Sequence, residues 1–283
     1  MKILTWQNPG QLFVAQELIN KVKSKCCGIK DDNYGQAHQD ANEYLEYSVN
    51  GGPWKKFDGV VSLSAVSFGG GNGNLRLRAK VGQENYKESD AGPMFKFGNE
   101  TVEVKCTGDI RTLIDYENYY CANTSKAMFM NFFNSMTNLK SAPDLPSMEL
   151  ASQCYYAMFK GCTGLTTAPK LPATTLDTFC YREMFYGCTS LTTAPELPAT
   201  KLNPAYHCYR GMFNGCSKLS KVTMLATIYD ISYSLDNWLD NAGTSAQSRT
   251  LKLASERVYN ELKNKGYLPT KWQQGQATIT WNP

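Results

Sequence analysis

The side chains best equipped for chemistry are ten cysteines and two histidines. Six of the cysteines form pairs at one spacing: Cys154/Cys162, Cys180/Cys188 and Cys208/Cys216. A zinc site wants ligands roughly two to four residues apart with histidine nearby, and this spacing offers neither. Along a helix the two members of a pair would be separated by roughly 12 Å of rise, too far for a disulfide within the pair. Two readings stay open, disulfides between adjacent units and columns of small buried apolar side chains, a role free cysteine often fills. Cys26-Cys27 is a vicinal pair without the C-x-x-C of a redox motif.

The other reactive groups lead no further. His38 and His207 lack the serine, cysteine or carboxylate context of a nucleophilic site, and no motif argues for the paired carboxylates of a glycosidase. Gly69-Gly70-Gly71-Asn72-Gly73-Asn74 looks like a phosphate cradle but leads into the strand pattern at Leu75, not into a helix N-terminus. No catalytic residue, no metal and no cofactor are therefore expected. The function to look for is contact.

Those cysteines belong to a sentence written four times between residues 127 and 227. One copy reads Cys154-Tyr155-Tyr156-Ala157-Met158-Phe159-Lys160-Gly161-Cys162, followed by Leu165, Ala168-Pro169, Leu171-Pro172 and Leu176; the next repeats it 26 residues later from Cys180 to Leu202. A degenerate copy precedes them through Phe133, Leu139 and Ala142-Pro143, and a fourth follows an insertion at Asn203-Pro204 with Cys208, Met212-Phe213 and Gly215-Cys216. A fixed period of this size marks stacked repeats that share one long core. Cys180, Met184, Phe185 and Cys188 predict a helix from about Thr175 to Tyr186, ending at Gly187, and Pro195 and Pro198 confine the rest of the unit to short extended segments.

The phrase from Met184 to Leu202 resembles the BspA-like leucine-rich repeats of surface proteins of gut Bacteroidetes and of virion proteins of their phages. The resemblance covers roughly a hundred residues. It implies a solenoid used for adhesion or recognition and carries over no catalytic residue.

A chain of 283 residues holds two or three modules. Net charge is +4 with charged residues at 19%, and no dense basic stripe appears, so nucleic acid is not expected as a partner. No apolar run is long enough for a membrane span, and Met1 to Pro9 does not read as a signal peptide. Seventeen tyrosines and five tryptophans exceed what a bland core requires and suit a binding surface.

The fold class expected is α+β: a small antiparallel β-sandwich followed by a short right-handed leucine-rich-repeat-like solenoid of about four repeats with end caps. The divisions are 1–43, a docking or oligomerisation helix and linker; 44–107, the sandwich; 108–227, the solenoid; and 228–283, the C-terminal cap. Helical spacing over Gln11 to Lys23 makes Leu12, Phe13, Leu18, Ile19 and Val22 the candidate docking residues. Equivalent repeat positions give the candidate contact residues Tyr155, Tyr156, Tyr181, Arg182, Tyr209 and Arg210, because tyrosine and arginine combine area with a directional polar end. Asp144, Lys170 and Glu196 form a second column of alternating sign.

The expected function is that of a non-enzymatic virion protein, a phage fibre or capsid decoration, oligomeric, joined to other virion proteins through its N-terminal segment and contacting a host-surface glycan or protein. The alternatives are a bacterial cell-surface adhesin and, from another class, a glycan-processing enzyme.

Overall fold

The computed structural model of the chain describes residues 4–7, 12–14, 45–56, 74–79, 95–97, 103–117, 119–122, 124, 126–202, 205–227 and 233–281. Strands β1 (Leu4–Gln7), β3 (Leu45–Val49), β4 (Lys55–Lys56), β5 (Asn74–Ala79), β7 (Val104–Thr107) and β8 (Leu139–Ser141) form one sheet in the order β4-β3-β5-β1-β7-β8. Its pairings are antiparallel except β7 with β8. β5 shows why: Leu75, Leu77 and Ala79 are buried while Arg76 faces water, the alternation of a half-buried strand. Asn50 and Gly51, both at positive φ, turn the chain from β3 toward β4. Arg78 is not simply solvated: it pairs with Glu46 and lies 4.1 Å from the Trp54 ring centroid and 4.2 Å from that of Tyr116.

Two expectations need correction here. The strands expected to make a separate sandwich instead share a mixed sheet with β1 from the N-terminal stretch and β8 from the first repeat, so the sheet crosses the expected boundaries at 43 and 107. The docking helix is also wrong at its start: Leu12 and Phe13 lie in β2 (Leu12–Val14), paired antiparallel with β6 (Phe95–Phe97). Three successive apolar residues in Leu12-Phe13-Val14 suit extended pairing as well as a helical face. Leu18, Ile19, Val22 and His38 lie outside the described residues.

The larger correction concerns the repeats, which stack but not as the helix-bearing, leucine-rich-repeat-like units expected. Each copy is a ribbon of turns. In the second copy the N–H groups of Cys154, Tyr156, Met158, Lys160 and Cys162 donate three residues back. Those between them, on Gln153, Tyr155, Ala157, Phe159 and Gly161, donate to the carbonyls of Thr178, Cys180, Arg182, Met184 and Tyr186 in the third copy. A left-handed residue recurs at every fourth position: Gln153, Ala157, Gly161; Phe179, Glu183, Gly187; His207, Gly211, Gly215. The physical reason is twofold. An α-helix repeats every ~3.6 residues and keeps its hydrogen bonds to itself, whereas the apolar pattern here repeats every four and half of the N–H groups must reach a neighbour.

On this ribbon two adjacent residues point in and the next two lie toward the outside. Cys154, Tyr155, Met158, Phe159 and Cys162 are buried, as are their counterparts from Cys180 to Cys188 and from Cys208 to Cys216. The first ribbon fills the same places with Met128, Phe129, Phe132, Phe133 and Met136. Residues 233–242, expected as a cap, form a fifth ribbon that receives the N–H groups of Tyr209, Gly211, Phe213 and Gly215, with Ser234, Leu235, Trp238, Leu239 and Ala242 inside.

Two aromatic ladders run through the stack. Phe133, Phe159, Phe185 and Phe213 succeed one another at centroid distances of 5.1, 5.5 and 5.7 Å, and Phe129, Tyr155, Tyr181 and Tyr209 at 6.1, 6.0 and 6.1 Å. The second cysteine of each pair ties its ribbon to the one before. Cys162, Cys188 and Cys216 donate their thiols to the carbonyls of Phe133, Phe159 and Phe185 at 3.0, 3.1 and 3.0 Å. All eight cysteines among the described residues are free thiols, and for the six repeat cysteines, each buried, the column of small buried side chains is the reading that holds.

The opposite side of each unit is extended. β9 (Thr193–Leu197), β10 (Lys221–Met224), β11 (Thr250–Leu253) and β12 (Thr278–Trp281) make a parallel sheet in the order β12-β11-β10-β9. Single parallel bridges at Asp109/Asp144 and Ser141/Thr167 join the earlier units on the same side. The far end is closed by α1 (Glu256–Asn264), capped by the Ser255 hydroxyl, and by Trp238 and Trp272, whose indole N–H groups donate to the carbonyls of Tyr267 and Ala242. α1 is the one α-helix among the described residues.

Candidate recognition surface

What faces outward on the ribbon side follows from the four-residue rule. The left-handed position just before each first cysteine holds Gln153, Phe179 and His207, and Tyr233 takes the same place before Ser234. From Phe179 onward these side chains stack outside the core. The rings of Phe179 and His207 lie 5.0 Å apart and 1° from parallel, and those of His207 and Tyr233 5.5 Å apart at 26°. Tyr233 is 59% exposed, so its ring is presented to solvent.

Three residues on, Tyr156, Arg182 and Arg210 occupy one half-buried column. The Arg182 guanidinium lies 5.4 Å from the Tyr156 ring centroid and 5.4 Å from that of Phe179, an arrangement that holds a long side chain against aromatic faces. Lys160 pairs with Glu183 at 2.7 Å across adjacent ribbons and sits 4.9 Å from the Tyr186 ring. His207 is held below its usual pKa, first by partial burial and then by the positive charges of Arg210 and Arg182. Its Nδ1 is buried with no hydrogen-bond partner.

The six expected contact residues therefore divide. Tyr156, Arg182 and Arg210 lie at the surface, but Tyr155, Tyr181 and Tyr209 are corrected to core residues, at 1%, 2% and 0% exposure. Each follows a buried cysteine directly, and adjacent residues share the inward side of a four-residue turn. Tyr155 still satisfies its hydroxyl in the interior, at 3.5 Å from Ser147 Oγ. Sequence reasoning missed Phe179, His207 and Tyr233. The signal available for them was a position whose residue changes from copy to copy, Gln, Phe, His, Tyr, beside one that stays Cys in three copies.

Burial raises the thiol pKa of Cys154, Cys208 and Cys216 to about 12 and pushes those of Cys162, Cys180 and Cys188 upward as well, so the repeat thiols stay protonated and inert near neutrality. Among the described residues no group of three or more His, Cys, Asp or Glu side chains is placed to hold a metal ion. No described helix is long and apolar enough to cross a membrane. The chain matches no family model, no curated protein and no solved structure.

Proposed function

We propose that this chain is a non-enzymatic recognition protein that contacts a host surface through the outer face of its stacked ribbons. The observation that carries the reading is the outward column Phe179, His207, Tyr233, flanked by Arg182 over Tyr156 and Phe179. Aromatic rings and arginines held in fixed positions bind with little further loss of side-chain freedom. The inert thiols and the interlocked interior fit a rigid scaffold.

The resemblance of Met184 to Leu202 to repeats of surface and virion proteins supplies the setting: a fibre or decoration on a phage particle, present in several copies so that shallow contacts add by avidity. A cell-surface adhesin would use the same face. The test is attachment of the fluorescently labelled full chain to intact gut Bacteroidetes cells and to immobilised mucin. The paired substitution Arg182→Ala and Tyr233→Ala abolishes attachment if the outer face makes the contact, and attachment unaffected by that pair removes the proposal.

A further inference from the structure

On the other side of the stack, where the extended segments run, lies a groove of about 760 Å³. That is the size of a small-molecule site, on the order of 300–1,000 Å³. Its lining joins the first two repeats to the residues that precede them. We propose that this groove is a binding site for a short neutral oligosaccharide; the proposal rests on the reading of the chain as a recognition protein and names a ligand class for a second face.

The lining carries the argument. Pro143, Pro146, Pro169 and Pro172 come from the repeated Ala-Pro-x-Leu-Pro phrase, one pair per unit, and line the groove with rigid apolar rings. Proline has no N–H, so these positions cannot donate to an added peptide strand as a full sheet edge would. Tyr119 and Tyr120 also line it, their ring centroids 5.9 Å apart and their planes 79° from each other, which offers two aromatic faces at a corner. Tyr120 is 65% exposed, an aromatic left unburied by its own chain. Sugar rings present C–H faces that stack on such aromatics and hydroxyls that need donors and acceptors close by.

Those polar groups are present and nearly cancel in charge. Asp109, 4% exposed, receives Arg111 Nε at 3.1 Å and Nη2 at 2.8 Å. Arg111 in turn reaches the Tyr120 carbonyl through Nη1 at 3.4 Å and lies 5.9 Å from the Tyr119 ring centroid, so the ion pair holds the aromatic corner in place. Asp144 and Lys170, opposite in sign, line the same groove. A phosphate or sulfate ester would need cations in excess, but the Arg111 charge is already matched by Asp109. Neutral sugars need none.

The experiment uses the full chain on a printed array of neutral linear tri- to hexasaccharides built from glucose, galactose, mannose and N-acetylglucosamine, with sialylated and sulfated members beside them. The strongest member is then titrated by calorimetry. Neutral members bind, and Tyr120→Ala weakens them about tenfold or more, as loss of an aromatic contact worth roughly 1.4 kcal/mol does. Glu256→Gln, exposed on α1 at the far end of the stack, leaves that affinity unchanged. The proposal is overturned if no member binds, if only acidic members bind, if Tyr120→Ala has no effect, or if an oligoproline peptide binds the groove and the sugars do not. Cell attachment lost with Tyr233→Ala while the array stays blank sinks the groove alone. Array binding that survives while attachment ignores the ribbon-face substitutions sinks the ribbon face alone.

Discussion

The rings of Phe159 and Phe185 lie stacked at 5.5 Å and 7° from parallel, each wholly buried, although they are 26 positions apart in the chain. Phe133 stacks on Phe159 at the same separation in the chain and Phe185 on Phe213 across 28 positions, which makes the ladder the axis on which the units register. Phe185 has Phe159 on one side and Phe213 on the other. Phe185→Ala therefore opens a cavity between two ribbons and costs about 3–5 kcal/mol. Urea unfolding followed by circular dichroism measures it, and a loss below about 1 kcal/mol would deny the ladder its structural role.

The buried thiols set the behaviour in alkali. Their pKa values are raised in the fold, so their stabilising contribution is complete below the unfolded thiol pKa of about 8.5 and is lost as pH rises toward the folded values. Between those limits the unfolded chain releases protons that the folded chain retains. Each such thiol weakens the fold by about 1.4 kcal/mol per pH unit. Cys106 joins the six repeat thiols, its pKa also raised by burial. Acting together they are expected to exhaust a typical stability of 5–15 kcal/mol, and the chain unfolds cooperatively between about pH 9 and 11. A circular-dichroism titration that stays native to pH 12 would show that the thiols are not confined as described.

Thiol chemistry gives an independent reading. Cys121 is exposed and the six repeat cysteines are buried. Under native conditions an aromatic disulfide reagent labels Cys121 within seconds to minutes, while peptides containing Cys162, Cys188 or Cys216 are labelled only as fast as the chain opens. Rapid native labelling of Cys188, located by mass spectrometry, is the contrary result.

The outer face should be dispensable for folding. Arg182→Ala removes a cation held over two rings and a 3.4 Å contact to Glu183, all on the half-buried outer side of the ribbons. Stability changes by no more than about 1 kcal/mol, while attachment to cells or mucin falls. A variant that unfolds, or one that attaches like the parent chain, contradicts the division between scaffold and contact face.

How much of this could be read from the sequence differs by residue. Phe159, Phe185 and Phe213 were legible as one buried column because their spacing recurs, and the prolines marked short extended segments for the same reason. The local conformation was not legible. Over one unit, Cys180, Met184, Phe185 and Cys188 fit a helical face nearly as well as a four-residue turn, and only the backbone distinguishes them. The left-handed residues gave little warning: Gln153, Phe179 and Glu183 are not residues that favour positive φ, and of these four only His207 is of a type enriched there. Tyr155, Tyr181 and Tyr209 were read as surface residues from their chemistry, but the turn carries each inward beside its cysteine. The N-terminal sheet escaped because β1 and β8 come from segments that sequence assigns to different modules.

A left-handed residue at every fourth position of the ribbons decides which side chains reach the surface. Gly211 sits at φ +61°, and a Cβ there would meet Glu183 Cγ at 3.2 Å. Were residues 205–215 an α-helix, Gly211→Ala would stabilise the chain by about 1 kcal/mol. On the ribbon the same change forces alanine into the left-handed region, at a cost of roughly 1–2 kcal/mol before any steric adjustment. The decisive measurement is the unfolding free energy of Gly211→Ala against the parent chain by urea titration: a loss of at least about 1 kcal/mol is the predicted result, and an equal or higher stability would contradict the ribbon and the surface built on it.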